Sequence, residues 1–129
     1  MEFTSVNKIF EAAFRKNWDR PAISNYQGVT LKFCDVARRM EKLHIMFEEC
    51  GLQKGDKVAL CSRNQANWAV AFLSAMTYGA VPVPLLHEFK SSNIHHLVNH
   101  SEAGPFPPTL QVIYFLKLFY PFTVNASCY

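Results

Sequence analysis

Apolar residues recur along the first hundred positions with the spacings of helices and strands. Spacings of three and four residues predict helices, whereas short unbroken apolar runs predict strands. Gly28 stands between the first two runs, and we expect a hairpin there with a positive φ at this glycine. In chain order the pattern predicts a helix around 6–14, strands at 22–26 and 29–32, a helix over 36–50, a strand at 57–62, a helix over 65–78, a strand at 80–85 and a last helix that turns Ile94, Leu97 and Val98 inward.

Polar residues beside the helical segments predict their starts and ion pairs. Asn64 is expected to cap the third helix, and Ser91 or Ser92 the fourth. Asp35 and Arg39 are four residues apart, and we expect them to pair on the exposed face of the second helix. Its apolar face is predicted to comprise Val36, Met40, Leu43, Phe47 and Cys50, with Gly51 as the left-handed residue that ends it.

The third helix is apolar on nearly all sides and lies between two apolar runs. A buried helix between two strands is typical of a right-handed βαβ unit, whose strands are parallel in one sheet. The fold class is therefore expected to be α/β, with an N-terminal helix and hairpin added to the βαβ unit. Trp68 and Phe72 are interpreted as core residues of this helix.

A membrane span is the alternative for this stretch, because no residue between Arg63 and Glu88 is charged. Gly79, Pro82 and Pro84 interrupt the helical run, and basic clusters are lacking on its flanks. We therefore expect no transmembrane span and favour a helix and a strand that are buried together.

Composition narrows the class of protein. The chain has 129 residues, of which 50% are hydrophobic and 18% charged, which excludes intrinsic disorder. A net charge of +3 is too small to suggest binding to nucleic acid. The four cysteines form no CxxC pair and no secretory signal opens the chain, so we expect a reduced, cytoplasmic protein.

The sequence changes character at Gly104. Lys117 is the only charged residue from there to the end, and prolines occupy three of the first five positions. We divide the chain into 1–103 and an apolar, aromatic tail at 104–129. The tail is interpreted as unrelated sequence, and the alternative is a strand or helix within 110–124 that covers the sheet.

No residue set predicts catalysis or a metal site. His95, His96 and His100 share a helix, but no cysteine lies near enough to complete a zinc site. The GxSxG, GxGxxG and GxxxxGK[ST] motifs are absent. Cys61 ends an apolar strand and is expected to pack rather than react. We therefore predict no catalytic residue and no metal ligand.

Several blocks in fixed order nevertheless resemble one family. They are 21–23 (PAI), 28–33 (GVTLKF), 38–39 (RR), 50–60 (CGLQKGDKVAL), 64–68 (NQANW), 71–75 (AFLSA), 79–85 (GAVPVPL) and 100–103 (HSEA). Together they closely resemble the N-terminal region of AMP-forming acyl-CoA synthetases, which are adenylate-forming ligases. The resemblance covers residues 6–103 and implies a piece of a larger, layered α/β/α fold.

The resemblance implies a two-step ligase that uses ATP, Mg²⁺ and CoA. A carboxylic or fatty acid becomes an acyl-adenylate, and the CoA thiol then displaces AMP. The family's Ser/Thr/Gly-rich phosphate loop and its C-terminal lysine have no counterpart here, so the chain is expected to be inactive alone and to have no complete cofactor site by itself. An incomplete sheet would also leave apolar surface exposed, and we expect self-association through it.

One candidate binding site follows from the resemblance. In some relatives the loop after the Gly-Ala-Val strand borders the tunnel for the pantetheine arm of CoA, and here that loop contains His87 and Glu88. Two other functions remain open: a standalone acyl- or CoA-binding or docking module, and a small membrane-associated protein.

Overall fold

The computed structural model describes residues 5–101 and confirms the predicted α/β class. The interpretations of the tail at 104–129 lie outside these residues. The elements are α1 (Val6–Lys16), β1 (Pro21–Ser24), β2 (Thr30–Lys32), α2 (Phe33–Glu49), β3 (Lys57–Cys61), α3 (Ala66–Tyr78), β4 (Val81–Leu85) and α4 (Ser91–His100).

Strands β3 and β4 are parallel and connected through α3, as the apolar pattern predicts. Their register runs without interruption from the pair Lys57 and Val81 to the pair Cys61 and Leu85. Strands β1 and β2 form a separate antiparallel hairpin, in which Ser24 is opposite Thr30. Within the described part of the chain, each sheet has two strands.

Strand β3 is almost fully buried, whereas β4 is exposed along much of its length. Val58 to Cys61 are all buried, but Val81 and Pro84 are exposed. The amide of Val81 donates to the Asp56 carbonyl at 2.8 Å. Because successive amides of a strand point to opposite sides, Pro82 and Pro84 place their missing N–H groups on the side away from β3. That side is where a sheet tolerates proline.

Side chains of β3 alternate between two apolar clusters. Val58 and Leu60 pack into the larger cluster, which includes Leu43 of α2 and Val70 of α3. The other face of the sheet forms a smaller cluster that comprises Ala59, Cys61, Leu85 and Val98, with Ile94 and Leu97 of α4 packed against it. The result is a helix–sheet–helix layering that follows from the two-residue period of the strand.

The ends of α2 differ in part from the predictions. Gly51 has a φ of +73° and follows the helix, as predicted for a left-handed residue. Cys50, however, is exposed and lies beyond the last helical residue, so its assignment to the apolar face was wrong. Asp35 lies 3.7 Å from Arg38 rather than pairing with Arg39. Arg39 instead donates to the side chain of Asn67 on α3, a partner distant in sequence.

Two other local predictions were also wrong, one for the hairpin turn and one for a helix cap. In the hairpin, the positive φ is at Gln27, at 52°, and not at Gly28. The amide of Gly28 donates to the Asn25 carbonyl at 3.0 Å, so Tyr26 and Gln27 are the central residues of this turn. Neither Ser91 nor Ser92 caps α4: Lys90 occupies the cap position, and both serines fall inside the first turn.

No helix among residues 5–101 combines the length and apolar character that a membrane crossing requires. Helix α3 is the most apolar, and it covers one face of the β3–β4 sheet. Trp68 and Phe72 stack at 5.4 Å between ring centroids and are only partly buried. Phe72 packs against the larger cluster, in agreement with its interpretation as a core residue.

Candidate functional site

The predicted binding residues, His87 and Glu88, follow β4 at the edge of the sheet formed by the carboxyl ends of β3 and β4. Because the two strands are parallel, the loop at 62–65 and the loop at 86–90 both leave the sheet there. In open α/β sheets this edge is where ligands usually bind. Both loops lead directly into helices, α3 and α4 respectively.

His87 and Glu88 lie in a tight turn after β4 and are both exposed. The amide of Phe89 donates to the Leu86 carbonyl at 3.2 Å, which closes this turn around the two residues. Among residues 5–101, neither side chain has a hydrogen-bond or ion-pair partner. An imidazole and a carboxylate are therefore available to a ligand, but the turn holds neither of them in one orientation.

Apolar side chains flank these two residues. Leu86 is 62% exposed and Phe89 38% exposed, which is high for large apolar residues. An apolar rim around exposed polar groups is a common composition for a binding surface. The loop therefore exposes both polar and apolar side chains at the carboxyl edge of the sheet.

Cys61 is buried at the end of β3, next to this loop. Its Sγ lies 4.0 Å from the Leu86 carbonyl oxygen, close enough for a weak S–H donor bond. Burial raises the pKa of the Cys61 thiol above its ordinary value, which keeps the unreactive thiol form at neutral pH. The prediction that Cys61 packs is confirmed by its place in the smaller apolar cluster.

The start of α3 is held by a residue from the hairpin. The amide of Ala66 donates to Asn25 Oδ1 at 2.7 Å, and no side chain of the preceding loop caps the helix. The predicted cap at Asn64 was therefore wrong. The hairpin turn reaches α3, and Asn25 takes the capping role from 41 residues away in the chain.

The cap and the contact between Arg39 and Asn67 were both missed by analysis of the sequence. Each contact joins parts of the chain that no local pattern relates. Asparagine is common in turns because of its own backbone bonds, so its presence in a hairpin gives no sign of a second role. These contacts fix the first turn of α3, and with it the loop that leaves β3.

The three histidines on α4 do not all converge with one another within the part of the chain that the structure describes. His95, His96 and His100 are exposed, and the rings of His96 and His100 stack with centroids 6.2 Å apart. Residues 5–101 contain no group of three or more histidine, cysteine, aspartate or glutamate side chains with the geometry to hold a metal ion. The structure brings none of these histidines to the carboxyl edge in contact with His87.

Comparison with known proteins identifies the family. The model of the AMP-binding enzyme family matches residues 10–104. Surfactin synthase subunit 2 of Bacillus subtilis is 23% identical over 99 residues, which cover 77% of this chain and 3% of that protein. A long-chain-fatty-acid–CoA ligase of Salmonella typhimurium is 27% identical over 103 residues, which cover 79% of this chain and 18% of the ligase.

A solved structure shows the same fold. The N-terminal subdomain of Klebsiella oxytoca NpsA superposes with a TM-score of 0.69 at 23% identity, covering 78% of this chain and 26% of that one. The chain thus spans less than a fifth of the curated relatives described above and about a quarter of this structure. The shared part includes both loops of the carboxyl edge.

Proposed function

Because the chain belongs to the family of AMP-binding enzymes, we propose that it is the N-terminal part of an acyl-CoA synthetase that acts on fatty acids. The observation that supports the family part of this proposal is the match of the family model over residues 10–104, which includes β1 through α4. The similarity to the Salmonella fatty-acid ligase over 79% of the chain supports the acid class.

In the proposed reaction a carboxylate oxygen attacks the α-phosphorus of ATP and pyrophosphate leaves. The CoA thiol then attacks the acyl carbon, and AMP leaves with the electron pair of the broken C–O bond. In full-length members of the family, Mg²⁺ and cationic side chains would offset the charge that builds on the phosphorus in the first step. The sequence has no counterpart of the family's phosphate loop, so this chain supplies scaffold and a loop rather than the reacting groups.

The loop with His87 and Glu88 is proposed to border the path of CoA. Three observations support it: the loop lies at the carboxyl edge, both polar side chains are exposed, and Leu86 and Phe89 add apolar surface. The test is binding of fluorescently labelled CoA to the full chain, measured by anisotropy. The double variant H87A/E88A is expected to weaken saturable binding, whereas H95A/E49A, which removes the same residue types from exposed helical positions, is expected to leave it unchanged.

The proposed lack of independent activity is tested by ATP–pyrophosphate exchange. The full chain is assayed with long-chain fatty acids and with amino acids, and heat-denatured protein gives the blank. We expect no exchange above the blank for either class of acid. Exchange above the blank would contradict the assignment of this chain as scaffold alone.

An adenylating part of a peptide synthetase is the second candidate. The similarity to surfactin synthase and to the NpsA subdomain favours it, and the acid would then be an amino acid or another small carboxylic acid. This candidate predicts no dependence of CoA binding on His87 and Glu88.

Three cysteines among the described residues are free thiols, which supports the proposed location in the reducing cytoplasm.

A further inference from the structure

An open groove runs between α1 and α2, away from the edge described above. It encloses about 500 Å³ and reaches the end of α3 at Thr77 and Tyr78. Its apolar lining includes Phe10 and Phe14 from α1, and Met40 and Ile45 from α2. The groove is therefore open to solvent, and most of its exposed lining surface is apolar.

Helix α1, which forms one side of this groove, is itself only partly covered by the rest of the described structure. None of its residues is fully buried. Its contacts with the rest of the protein include the edge-to-face pair of Phe14 with Phe33, 5.2 Å between centroids, and a 3.0 Å bond from Asn7 Nδ2 to the Thr77 carbonyl. Val6, Ile9 and Ile45 are 49%, 56% and 52% exposed. Apolar surface on these helices is thus available to a partner.

The charges around the groove have one sign. Glu11, Glu41 and Glu48 line it, and no lysine or arginine of the described residues does. Glu11 is occupied by Arg15 at 2.8 Å. Glu41 and Glu48 are exposed and have no ion-pair partner among residues 5–101. They are seven residues apart on α2, or two helical turns and roughly 10 Å.

We propose that this groove, lined by α1 and α2, binds an amphipathic helix of a partner protein that carries lysine or arginine beside its apolar stripe. An apolar channel takes the apolar stripe of such a helix. Cations two turns apart on the incoming helix match the spacing of Glu41 and Glu48. The site lies apart from the proposed CoA loop, and its failure would leave that function untouched.

A second copy of this chain fits the groove less well. In a symmetric dimer the same patch meets itself, which would place Glu41 and Glu48 against the same carboxylates of the other copy. The charge pattern therefore favours a cationic partner over self-association.

The test uses a fluorescein-labelled helical peptide of four turns, with leucines at positions three and four apart and lysines elsewhere. A matched peptide has glutamate in place of every lysine. Anisotropy with the full chain at 150 mM NaCl is expected to show saturable binding of the lysine peptide only. The variant E41K/E48K is expected to weaken this binding about tenfold or more, since close interfacial charge pairs couple strongly.

Two further variants separate groove binding from general attraction between charges. D19K/E49K makes the same change in net charge at exposed positions outside the groove, and it is expected to leave the affinity within about threefold of the wild type. I45S removes exposed apolar surface from the lining and is expected to weaken binding without unfolding the protein. Circular dichroism checks that each variant keeps its helices.

Three results would overturn the proposal. The first is that the lysine peptide does not bind to the full chain, even if another segment of the chain is what covers the groove. The second is equal weakening by E41K/E48K and D19K/E49K, which would mean attraction to net charge alone. The third is that analytical ultracentrifugation shows a dimer of the chain and that E41K/E48K dissociates it. That result would assign the groove to a second copy.

Discussion

The bond from Ala66 to Asn25 Oδ1 is the contact on which the position of α3 can be tested most directly. The substitution N25A removes the acceptor and nothing else of the turn, because the other bonds of Asn25 use its backbone. Its amide donates to the Val29 carbonyl, and its carbonyl accepts from Gly28. The variant therefore leaves the hairpin closed while the start of α3 loses its cap.

The expected loss in the free energy of unfolding follows from burial at both ends of the bond. Removing a helix cap costs about 1 kcal/mol. Ala66 is only 4% exposed, so its freed N–H has little access to water, which adds part of the penalty for an unpaired buried donor. We expect a loss of about 1.5 kcal/mol for N25A. With a urea m-value of about 1.5 kcal/mol/M, the unfolding midpoint falls by about 1 M.

Two matched variants make the experiment decisive. N64A removes the asparagine that sequence alone assigns as the cap; that residue is exposed, and we expect its midpoint to stay within error of the wild type. N25D keeps an acceptor oxygen and adds a negative charge near the helix start, which the helix dipole favours. Its midpoint is expected to match or exceed that of the wild type at pH 7.

Urea unfolding of the full chain, followed by circular dichroism, measures all three variants. Equal midpoints for N25A and N64A would refute the tertiary cap. So would an N25D midpoint as low as that of N25A, because it would mean that the loss comes from altered packing of the turn. Faster hydrogen exchange at the first amides of α3 in N25A alone would locate the effect.

Two other predictions concern α3 and β3. Gly79 ends α3 with a φ of +94°, and an added Cβ would lie 3.0 Å from Lys54 Cγ. We expect G79A to lower the free energy of unfolding by about 1–2 kcal/mol, mostly through backbone strain. Urea titrations of the variant and of the wild-type chain measure this difference. A loss below about 0.3 kcal/mol would contradict this strain. Burial raises the pKa of Cys61 above 9.0, so the folded state favours the neutral thiol. The stability it contributes is present below pH 9.0 and is lost as the pH rises from there toward the folded pKa, because the unfolded chain ionises first. The free energy of unfolding should decline less between pH 8 and pH 10 in C61A than in wild type. Equal declines would refute the assignment of this pH dependence to Cys61.

The sequence determines most of the secondary structure because the relevant signals are local. The apolar spacing from Val36 to Phe47 places α2, and the runs around Val58 and Val83 place β3 and β4. A helix between two apolar runs also predicts that these strands are parallel. Each signal depends on periods of about four or two residues, which the chain expresses regardless of its surroundings.

Contacts between elements are what the sequence by itself leaves undecided. Asn64 is as good a cap as Asn25 in any local sense, and only the approach of the hairpin to α3 selects Asn25. Arg39 has Asp35 four residues away, yet it binds Asn67 because α2 packs against α3. The same holds for the groove between α1 and α2, which exists only because these two helices pack side by side. Local periodicity fixes which face of each element is apolar, but the partner of a polar side chain depends on which distant element arrives beside it, and only the tertiary structure supplies that information.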